Sequence, residues 1–202
     1  MKLLLFSDLH CDEHAAQRLV DRASSIDVVV GAGDFANARR GIERCIDVLK
    51  KITKPAVLVP GNNESYDELT DACRGWPSVQ VLHGQSVQIS GVPFFGIGGG
   101  IPVTPFGPWS FDFSEEQAAK LLKACPTNAI LVSHSPPKGT LDVSSSGRSL
   151  GSAAVHATIL SKTPRLVVCG HIHNSAGQHA TLGKSVVINA GPDGVEWDVL
   201  IN

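Results

Sequence analysis

The sequence has no long apolar run, and none of its apolar stretches approaches the length needed to cross a lipid bilayer. At the amino terminus, residues 3–6 are apolar, but the chain reaches Asp8 and His10 too soon for a signal peptide with a cleavage site. The absence of both features argues against a membrane-spanning or exported protein. We therefore expect a soluble protein with no membrane partner.

Cysteines are few, and none of the five belongs to a Cys-x-x-Cys pair. An odd number of scattered cysteines does not make a complete disulfide framework, so free thiols in a reducing compartment are expected. This pattern favours the cytoplasm as the location of the protein.

A basic excess is also missing, since 17 basic and 19 acidic side chains give a formal net charge of -2. Proteins whose main partner is a nucleic acid usually carry a basic excess, so this class is disfavoured. The pairs Arg39-Arg40 and Lys50-Lys51 fall in a stretch with helical periodicity, residues 38–52, and are expected on its solvated face. With 43% hydrophobic and 18% charged residues, 202 residues suit a single globular domain over 1–202.

Short apolar runs alternate with stretches of helical periodicity along most of the chain. Runs of four or five residues rich in Val, Leu and Ile, without alternation, are typical of strands buried on both faces. Ser65 and Ser114 have the spacing of capping boxes that open helices. This alternation predicts an α/β domain with parallel strand pairs. After His173, the runs at 177–182, 186–188 and 197–201 predict an antiparallel meander.

Five of the predicted strands end in a polar cluster. In open α/β sheets, ligands collect at the carboxyl ends of the parallel strands. The side chains delivered there can each offer an oxygen or an imidazole nitrogen to a metal. They are Asp8, His10, Asp34, Asn62, His134, His171 and His173.

This donor set suits the hydrolysis of phosphate esters. Two divalent ions roughly 3.5–4 Å apart can hold the phosphoryl oxygens and activate a water between them. Holding two cations so close requires a shared anion, and Asp34 is the candidate bridging carboxylate. Because the set mixes carboxylates with imidazoles, Mn is favoured, with Fe or Zn as alternatives.

The motif series resembles the calcineurin-like metallophosphoesterase superfamily. Its elements are Asp8-x-His10, Gly33-Asp34, Gly61-Asn62-x-Glu64, His134 and Gly170-His171-x-His173, in that family's order. Members with a His-Ser-Pro-Pro segment and an Asn-x-Gly-Pro turn, related to bacterial cyclic-nucleotide phosphodiesterases, are the most similar. The resemblance implies a four-layer α/β/β/α sandwich of two mixed sheets flanked by helices.

The resemblance also implies the ligands and the reaction. One ion would be held by Asp8, His10, Asp34 and His173, and the other by Asp34, Asn62, His134 and His171. A hydroxide that bridges the two ions would attack phosphorus in line with the departing alcohol. The implied substrate is a small phosphodiester, a cyclic nucleotide being one candidate. A phosphomonoesterase and a catalytically attenuated, metal-binding regulatory protein are the alternatives.

One position departs from the family pattern. Many members have His where this chain has Asn63, and that His is thought to protonate the leaving group. Asn cannot give up a proton near neutral pH, so Asn63 is a catalytic position with altered chemistry. The hypothesis is a preference for acidic leaving groups, or a substitute donor such as His14 or a metal-bound water.

Two loops are long for simple connections, residues 98–113 and 138–152. The first carries Phe106, Trp109, Phe111 and Phe113. These four aromatic residues can stack a nucleobase, but packing beneath the loop or a homodimer contact is favoured. On the second loop, a solvated side chain is expected for Arg148.

Overall fold

The protein is described over residues 1–200 in a computed structural model, and the predicted strand residue Ile201 lies outside that range. The helices are α1 (Glu13–Arg22), α2 (Ile42–Leu49), α3 (Tyr66–Ala72), α4 (Glu115–Leu122) and α5 (Ala153–Lys162). The strands are β1 (Lys2–Phe6), β2 (Val28–Gly31), β3 (Ala56–Leu58), β4 (Val79–Val81), β5 (Gln85–Ile89), β6 (Val92–Ile97), β7 (Ile130–Ser133), β8 (Leu166–Cys169), β9 (His179–Leu182), β10 (Ser185–Asn189) and β11 (Val195–Asp198).

These strands form two mixed sheets. The first has the order β11-β1-β2-β3-β4, in which β1 to β4 are parallel and β11 is antiparallel to β1. The second has the order β5-β6-β7-β8-β10-β9, with the four central strands parallel and both edge strands antiparallel. Each sheet therefore has one edge at which several strand carboxyl ends meet.

The alternation of side chains along β1 explains how the layers are held together. Leu3 and Leu5 point into an apolar core shared with residues of the second sheet such as Phe94. Leu4 and Phe6 point to the opposite face, where α1, α2 and α3 cover the first sheet. A third core lies between the second sheet and helices α4 and α5. The predicted four-layer α/β/β/α sandwich of two mixed sheets is confirmed.

The helix predicted over residues 38–52 is shorter than expected. α2 begins only at Ile42, because residues 37–40 form a tight turn and Gly41 adopts a left-handed φ of 73°. Arg39 is consequently not on a helical face. Its guanidinium pairs with Glu68 (Nε–Oε2 2.6 Å) and donates to the carbonyl oxygen of Trp109 (3.3 Å). Both predicted capping boxes are present, at the start of α3 and of α4.

The predicted meander is wrong in its last strand. β9 and β10 form an antiparallel hairpin, as expected. β11 instead crosses to the first sheet, where Trp197 pairs with Leu3 of β1. β10 is largely buried, whereas β11 alternates between half-buried and exposed residues, as suits an edge strand of the first sheet.

All five cysteines are free and buried. Burial is the main cause that raises the pKa of the thiols of Cys45 and Cys73 to about 12 and of Cys125 to about 11. These thiols are therefore neutral and pack as small apolar groups. Within residues 1–200, no helix combines the length and the apolar character needed to span a membrane.

Candidate metal centre

The polar residues that follow the parallel strands converge where the carboxyl edges of the two sheets meet. The first sheet delivers Asp8 and His10 after β1, Asp34 after β2 and Asn62 after β3. The second sheet delivers His134 at the end of β7, and His171 and His173 after β8. All seven residues predicted from the sequence as metal ligands are brought together.

The first cluster consists of Asp8, His10 and His173, each of which offers one atom within 4.8 Å of the others. The Nε2 atoms of His10 and His173 are 3.1 Å apart, and His173 Nε2 is 3.5 Å from Asp8 Oδ1. Asp8 is buried, whereas His173 is exposed. This cluster therefore opens toward solvent on one side.

The second cluster consists of Asp34, Asn62, His134 and His171. Ligand atoms of Asp34, His134 and His171 lie within 4.8 Å of one another. The amide oxygen of Asn62 is 3.2 Å from His134 Nε2 and 3.0 Å from His171 Nδ1. This cluster is more deeply buried than the first.

Asp34 links the two clusters. Its Oδ1 lies 3.5 Å from His134 Nε2 and its Oδ2 lies 3.6 Å from His10 Nε2. A single carboxylate with one oxygen directed at each cluster is the arrangement expected of a bridging ligand.

The hydrogen bonds of the second cluster direct several lone pairs at one point. His134 Nδ1 lies 2.7 Å from the carbonyl oxygen of Ala32, which can only accept, so Nδ1 carries the proton. In the neutral ring, Nε2 is then an acceptor. Asn62 donates its amide Nδ2 to Ser110 Oγ (3.2 Å), so its oxygen also faces inward. Acceptors that face one another without a proton between them fit a cation.

The first cluster also directs imidazole and carboxylate atoms at one point. His10 Nδ1 lies 3.2 Å from the carbonyl oxygen of Ala36, which leaves Nε2 as the acceptor opposite His173. Carboxylate, amide oxygen and imidazole donors together suit Mn, Fe or Zn. On donor chemistry, the residues therefore fit a pair of divalent ions.

The charges around the site favour a positive group. Burial opposes ionisation of Asp8, but hydrogen bonds from His173 and Ser7 and the charge of His134 lower the pKa of this carboxyl to about 2. Burial likewise opposes a charge on His134, yet Asp34 and Asp8 outweigh it and raise the pKa of this imidazole. The field of the two carboxylates thus stabilises positive charge at the centre.

Four of the candidate ligands have a strained backbone conformation. Asp8, His10, Asp34 and His171 have φ values of 58°, 46°, 59° and 65°, in the left-handed region that non-glycine residues rarely adopt. Each such residue costs about 1–3 kcal/mol and is typical of functional sites. The sharp turn after each strand directs its side chain back across the sheet edge.

Glycines beside the candidate ligands make the close approach feasible. A Cβ at Gly61 would overlap the Asp34 carboxylate, and one at Gly170 would lie 2.5 Å from Asp8 Oδ2. Gly33 adopts a φ of 93° and packs against Gly61 and His134. In the sequence, these glycines stand out only as parts of the motifs. Their position directly before Asp34, Asn62 and His171 is the signal from which their packing role could be predicted.

Glu64 fastens two of the loops to each other. Its buried carboxylate accepts backbone N–H groups from Gly61 (2.6 Å) and Asp34 (2.9 Å) on Oε1, and from Phe35 (3.0 Å) and Ala36 (2.9 Å) on Oε2. Burial and the charge of Asp34 raise its pKa to about 7, while these N–H groups favour the ionised form. Glu64 therefore ties the loop that carries Gly61 to the loop that carries Asp34.

Asn63 is engaged on both sides of its amide. Its Nδ2 donates to Asp34 Oδ2 (2.7 Å), its backbone N–H donates to Asp34 Oδ1 (2.9 Å), and its Oδ1 accepts from Ala38 N–H (2.8 Å). Two of these hydrogen bonds go to Asp34, so Asn63 is a support for that carboxylate. The alternative proton donor, His14, is exposed on α1 and is not among the described residues that line the cleft.

A cleft of about 640 Å³ lies over the two clusters. Its described lining residues are His10, Asp34, Asn62, Asn63, Phe106, Trp109, Ser144, Ser145, Leu150, His171, Ile172, His173 and Asn174. This volume is in the range of small-molecule sites. Both long loops predicted from the sequence contribute to its walls, and Arg148 is exposed outside it.

Residues 1–175 match the family model of the calcineurin-like phosphoesterases. This chain belongs to that family. The match spans every candidate ligand from Asp8 to His173 and confirms the resemblance seen in the sequence motifs. No protein of curated function matches this calcineurin-like phosphoesterase in sequence.

Several solved structures share the phosphoesterase fold. TT1561 of Thermus thermophilus has a TM-score of 0.77 and 21% identity, with 95% of this chain and 90% of that chain covered. A dimetal phosphatase from Danio rerio has a TM-score of 0.62 and 14% identity, covering 94% and 86%. Phosphopantetheinyl hydrolase from Mycobacterium tuberculosis has a TM-score of 0.60 and 16% identity, covering 94% and 88%. At these identities the likeness is one of fold.

Proposed function

We propose that this phosphoesterase hydrolyses a small phosphodiester, with a cyclic nucleotide as one candidate, at a centre that holds two divalent ions. The first ion would be held by Asp8, His10, Asp34 and His173, and the second by Asp34, Asn62, His134 and His171. The observation that carries this proposal is the convergence of acceptor atoms from both clusters on the shared carboxylate of Asp34. Mn is favoured, with Fe or Zn as alternatives.

Metal ions bound there would stabilise negative charge on the phosphoryl oxygens and lower the pKa of water. The chain's own residues supply the positioning. Asp34 keeps the clusters together, and Asn63 holds Asp34 through two hydrogen bonds. A two-metal reaction is also supported by the fold shared with the dimetal phosphatase from Danio rerio.

The charge of the cleft supports a diester over a monoester. No Lys or Arg is among the described residues that line it. A diester carries one negative charge, whereas a monoester near neutral pH carries close to two. A cleft without side-chain cations offers the second charge no partner beyond the metal centre. A phosphomonoesterase remains the alternative within the enzymes.

Hydrolysis of bis-p-nitrophenyl phosphate with added Mn tests the proposal. The wild type is expected to release p-nitrophenol, whereas Asp34→Asn protein, which keeps the shape of the side chain, is expected to give background only. A shared background rate in both proteins would refute the enzyme and favour the attenuated, metal-binding regulatory protein, a reading that Asn63 supports. Faster release from p-nitrophenyl phosphate than from the diester would instead favour the monoesterase.

Asn63→His is expected to raise turnover of dialkyl phosphates roughly tenfold or more, because an imidazole can protonate an alkoxide leaving group. Esters of p-nitrophenol should change little, since this leaving group departs without a proton. The ratio of the two rates is the measurement. Asn174→His is the matched control, because Asn174 also lines the cleft but is not a hydrogen-bond partner of Asp34. An unchanged ratio in Asn63→His would refute the assignment of Asn63 as the site of the missing acid.

Ser110→Ala is expected to weaken metal binding about 10- to 100-fold, because Ser110 Oγ accepts the amide proton of Asn62 and keeps the amide oxygen directed inward. Ser110 Oγ in turn donates to Asp112 (2.8 Å). Titration calorimetry with Mn is the measurement. Ser145→Ala, on the loop 138–152, is the control. Equal affinities in the wild type and both variants would contradict the role given to Ser110.

We also propose that residues 1–202 form one domain, because the apolar core between the sheets includes residues of both. A cytoplasmic location is supported by the five free thiols. The homodimer and the exclusion of nucleic acid as the main partner stay predictions from the sequence.

A further inference from the structure

Two aromatic rings stand at the mouth of the cleft. Phe106 is 52% exposed, which is unusual for a large apolar side chain. Its ring stacks on that of Trp109, with centroids 5.6 Å apart and planes inclined by 17°. Both residues line the cleft that contains His10 and Asp34. An exposed aromatic surface inside a functional cleft is typical of ligand contact.

The other two aromatic residues of the same loop have a different role. Phe111 and Phe113 pack against His83, with ring centroids 5.5 and 4.8 Å away, and against each other at 4.9 Å. The packing predicted for this loop therefore applies to Phe111 and Phe113. It does not account for Phe106 and Trp109, which are turned toward the cleft.

The loop is fastened directly beside the candidate metal ligands. Phe111 N–H donates to the carbonyl oxygen of Asn62 (2.9 Å). Arg39 joins the other side, because its N–H donates to the carbonyl oxygen of Asn63 (2.8 Å) and its guanidinium donates to that of Trp109 (3.3 Å). These bonds hold Trp109 next to the candidate metal ligands, and the Trp109 ring stacks on Phe106, so that little ordering of Trp109 is needed when a ligand binds.

Another part of the cleft lining is neutral. Ser144, Ser145 and Leu150 come from the loop 138–152. The buried carboxylate of Asp142 organises that loop by accepting the N–H groups of Gly139 (2.9 Å) and Gly151 (3.2 Å). An aromatic surface and small hydroxyl groups in one cleft suit a flat, uncharged group with polar edges.

We propose that Phe106 and Trp109 form a stacking subsite for a planar aromatic group on the part of the phosphodiester that is retained after cleavage. This proposal rests on the proposed phosphodiesterase function and assigns the two rings as residues that determine specificity. A nucleobase and a simple aryl ring can both stack on these side chains, and diesters that carry one or the other distinguish them.

Three diesters with the same leaving group and the same charge test the subsite. They are methyl, phenyl and thymidine 5′ esters of p-nitrophenyl phosphate. Stacking of a base on an aromatic side chain strengthens binding roughly tenfold. The kcat/KM of the wild type should therefore be about tenfold higher for one or both ring-bearing esters than for the methyl ester. Preference for the thymidine ester alone identifies a nucleobase site, and equal preference for both identifies an aryl site.

Phe106→Ala and Phe106→Leu are expected to remove this preference, mainly by raising KM, because the retained group binds equally in the ground and transition states. The leucine variant keeps apolar bulk but not the flat face. The kcat/KM for the methyl ester should fall much less than that for the ring-bearing esters, because the methyl group has no ring to stack. Val103→Ala is the control, since Val103 is 62% exposed on the same loop and is outside the described lining of the cleft.

If kcat/KM falls equally for all three esters in the Phe106 variants, or changes for none of them, the subsite is overturned. The proposed phosphodiesterase function is not affected by either result. If the wild type hydrolyses none of the esters, the proposed function fails, and binding decides the subsite separately. Thymidine 5′-monophosphate should quench the tryptophan fluorescence of the wild type and not that of Trp109→Phe protein. Equal quenching in both proteins would overturn the subsite.

Discussion

Gly61→Ala is expected to lower hydrolysis of bis-p-nitrophenyl phosphate about 10²-fold or more. A Cβ at this position would overlap Asp34 Oδ1 and crowd the Asp34 backbone nitrogen, so the carboxylate must move. Displacement of a positioned group by about 1 Å can cost about 10²-fold in rate. Because Asp34 is shared by both clusters, Mn affinity measured by calorimetry should fall together with kcat/KM.

Gly75→Ala is the control for this experiment. Gly75 adopts a left-handed φ of 82°, but a Cβ there would meet nothing within 4 Å. Alanine at Gly75 should therefore reduce stability by about 1 kcal/mol and leave kcat/KM unchanged. Should Gly61→Ala behave like Gly75→Ala, Asp34 would not depend on the space beside it, and the account of the glycines would be wrong.

Glu64→Gln is expected to reduce the free energy of unfolding by about 3–5 kcal/mol. Each carboxylate oxygen accepts two buried backbone N–H groups, and the amide nitrogen of Gln can accept none. Two buried backbone N–H groups therefore lose their acceptor, at a cost of about 1–3 kcal/mol each. They also face the amide N–H groups of Gln, which are donors as well. For a chain of this size, a loss of that magnitude lowers Tm by roughly 10 °C. Urea unfolding of the metal-free protein is the measurement.

Glu43→Gln makes the same chemical change on the exposed face of α2. It should alter the free energy of unfolding by less than about 1 kcal/mol. A similarly small effect for Glu64→Gln would mean that the four N–H groups find other acceptors. The role of Glu64 as the link between the two loops would then be lost.

These two predictions depend on residues that bind no substrate in our account. Gly61 and Glu64 belong to the same sequence motif as Asn62. The partners of Glu64 could not be predicted, because Phe35 and Ala36 are about thirty positions away along the chain. Hydrogen bonds between distant loops become visible only when both loops have coordinates.

The seven candidate ligands could be predicted from the sequence because of where they lie relative to the strands. Each follows a short buried run, and parallel strands place such positions at one edge of a sheet. The long connections were less predictable. The loop 98–113 carries four aromatic residues. Phe111 and Phe113 pack against His83, whereas Phe106 and Trp109 line the cleft. No local periodicity distinguishes the two pairs.

The sequence by itself determined the family, the α/β alternation and the identity of the polar residues at the strand ends, because these depend on short-range pattern and chain order. Only the tertiary structure decided that Asp34 faces both clusters, that Ser110 sets the orientation of Asn62, and that β11 pairs with β1. The physical reason is that these features depend on which backbone and side-chain groups meet across the two sheets. Chain order alone does not encode that information locally.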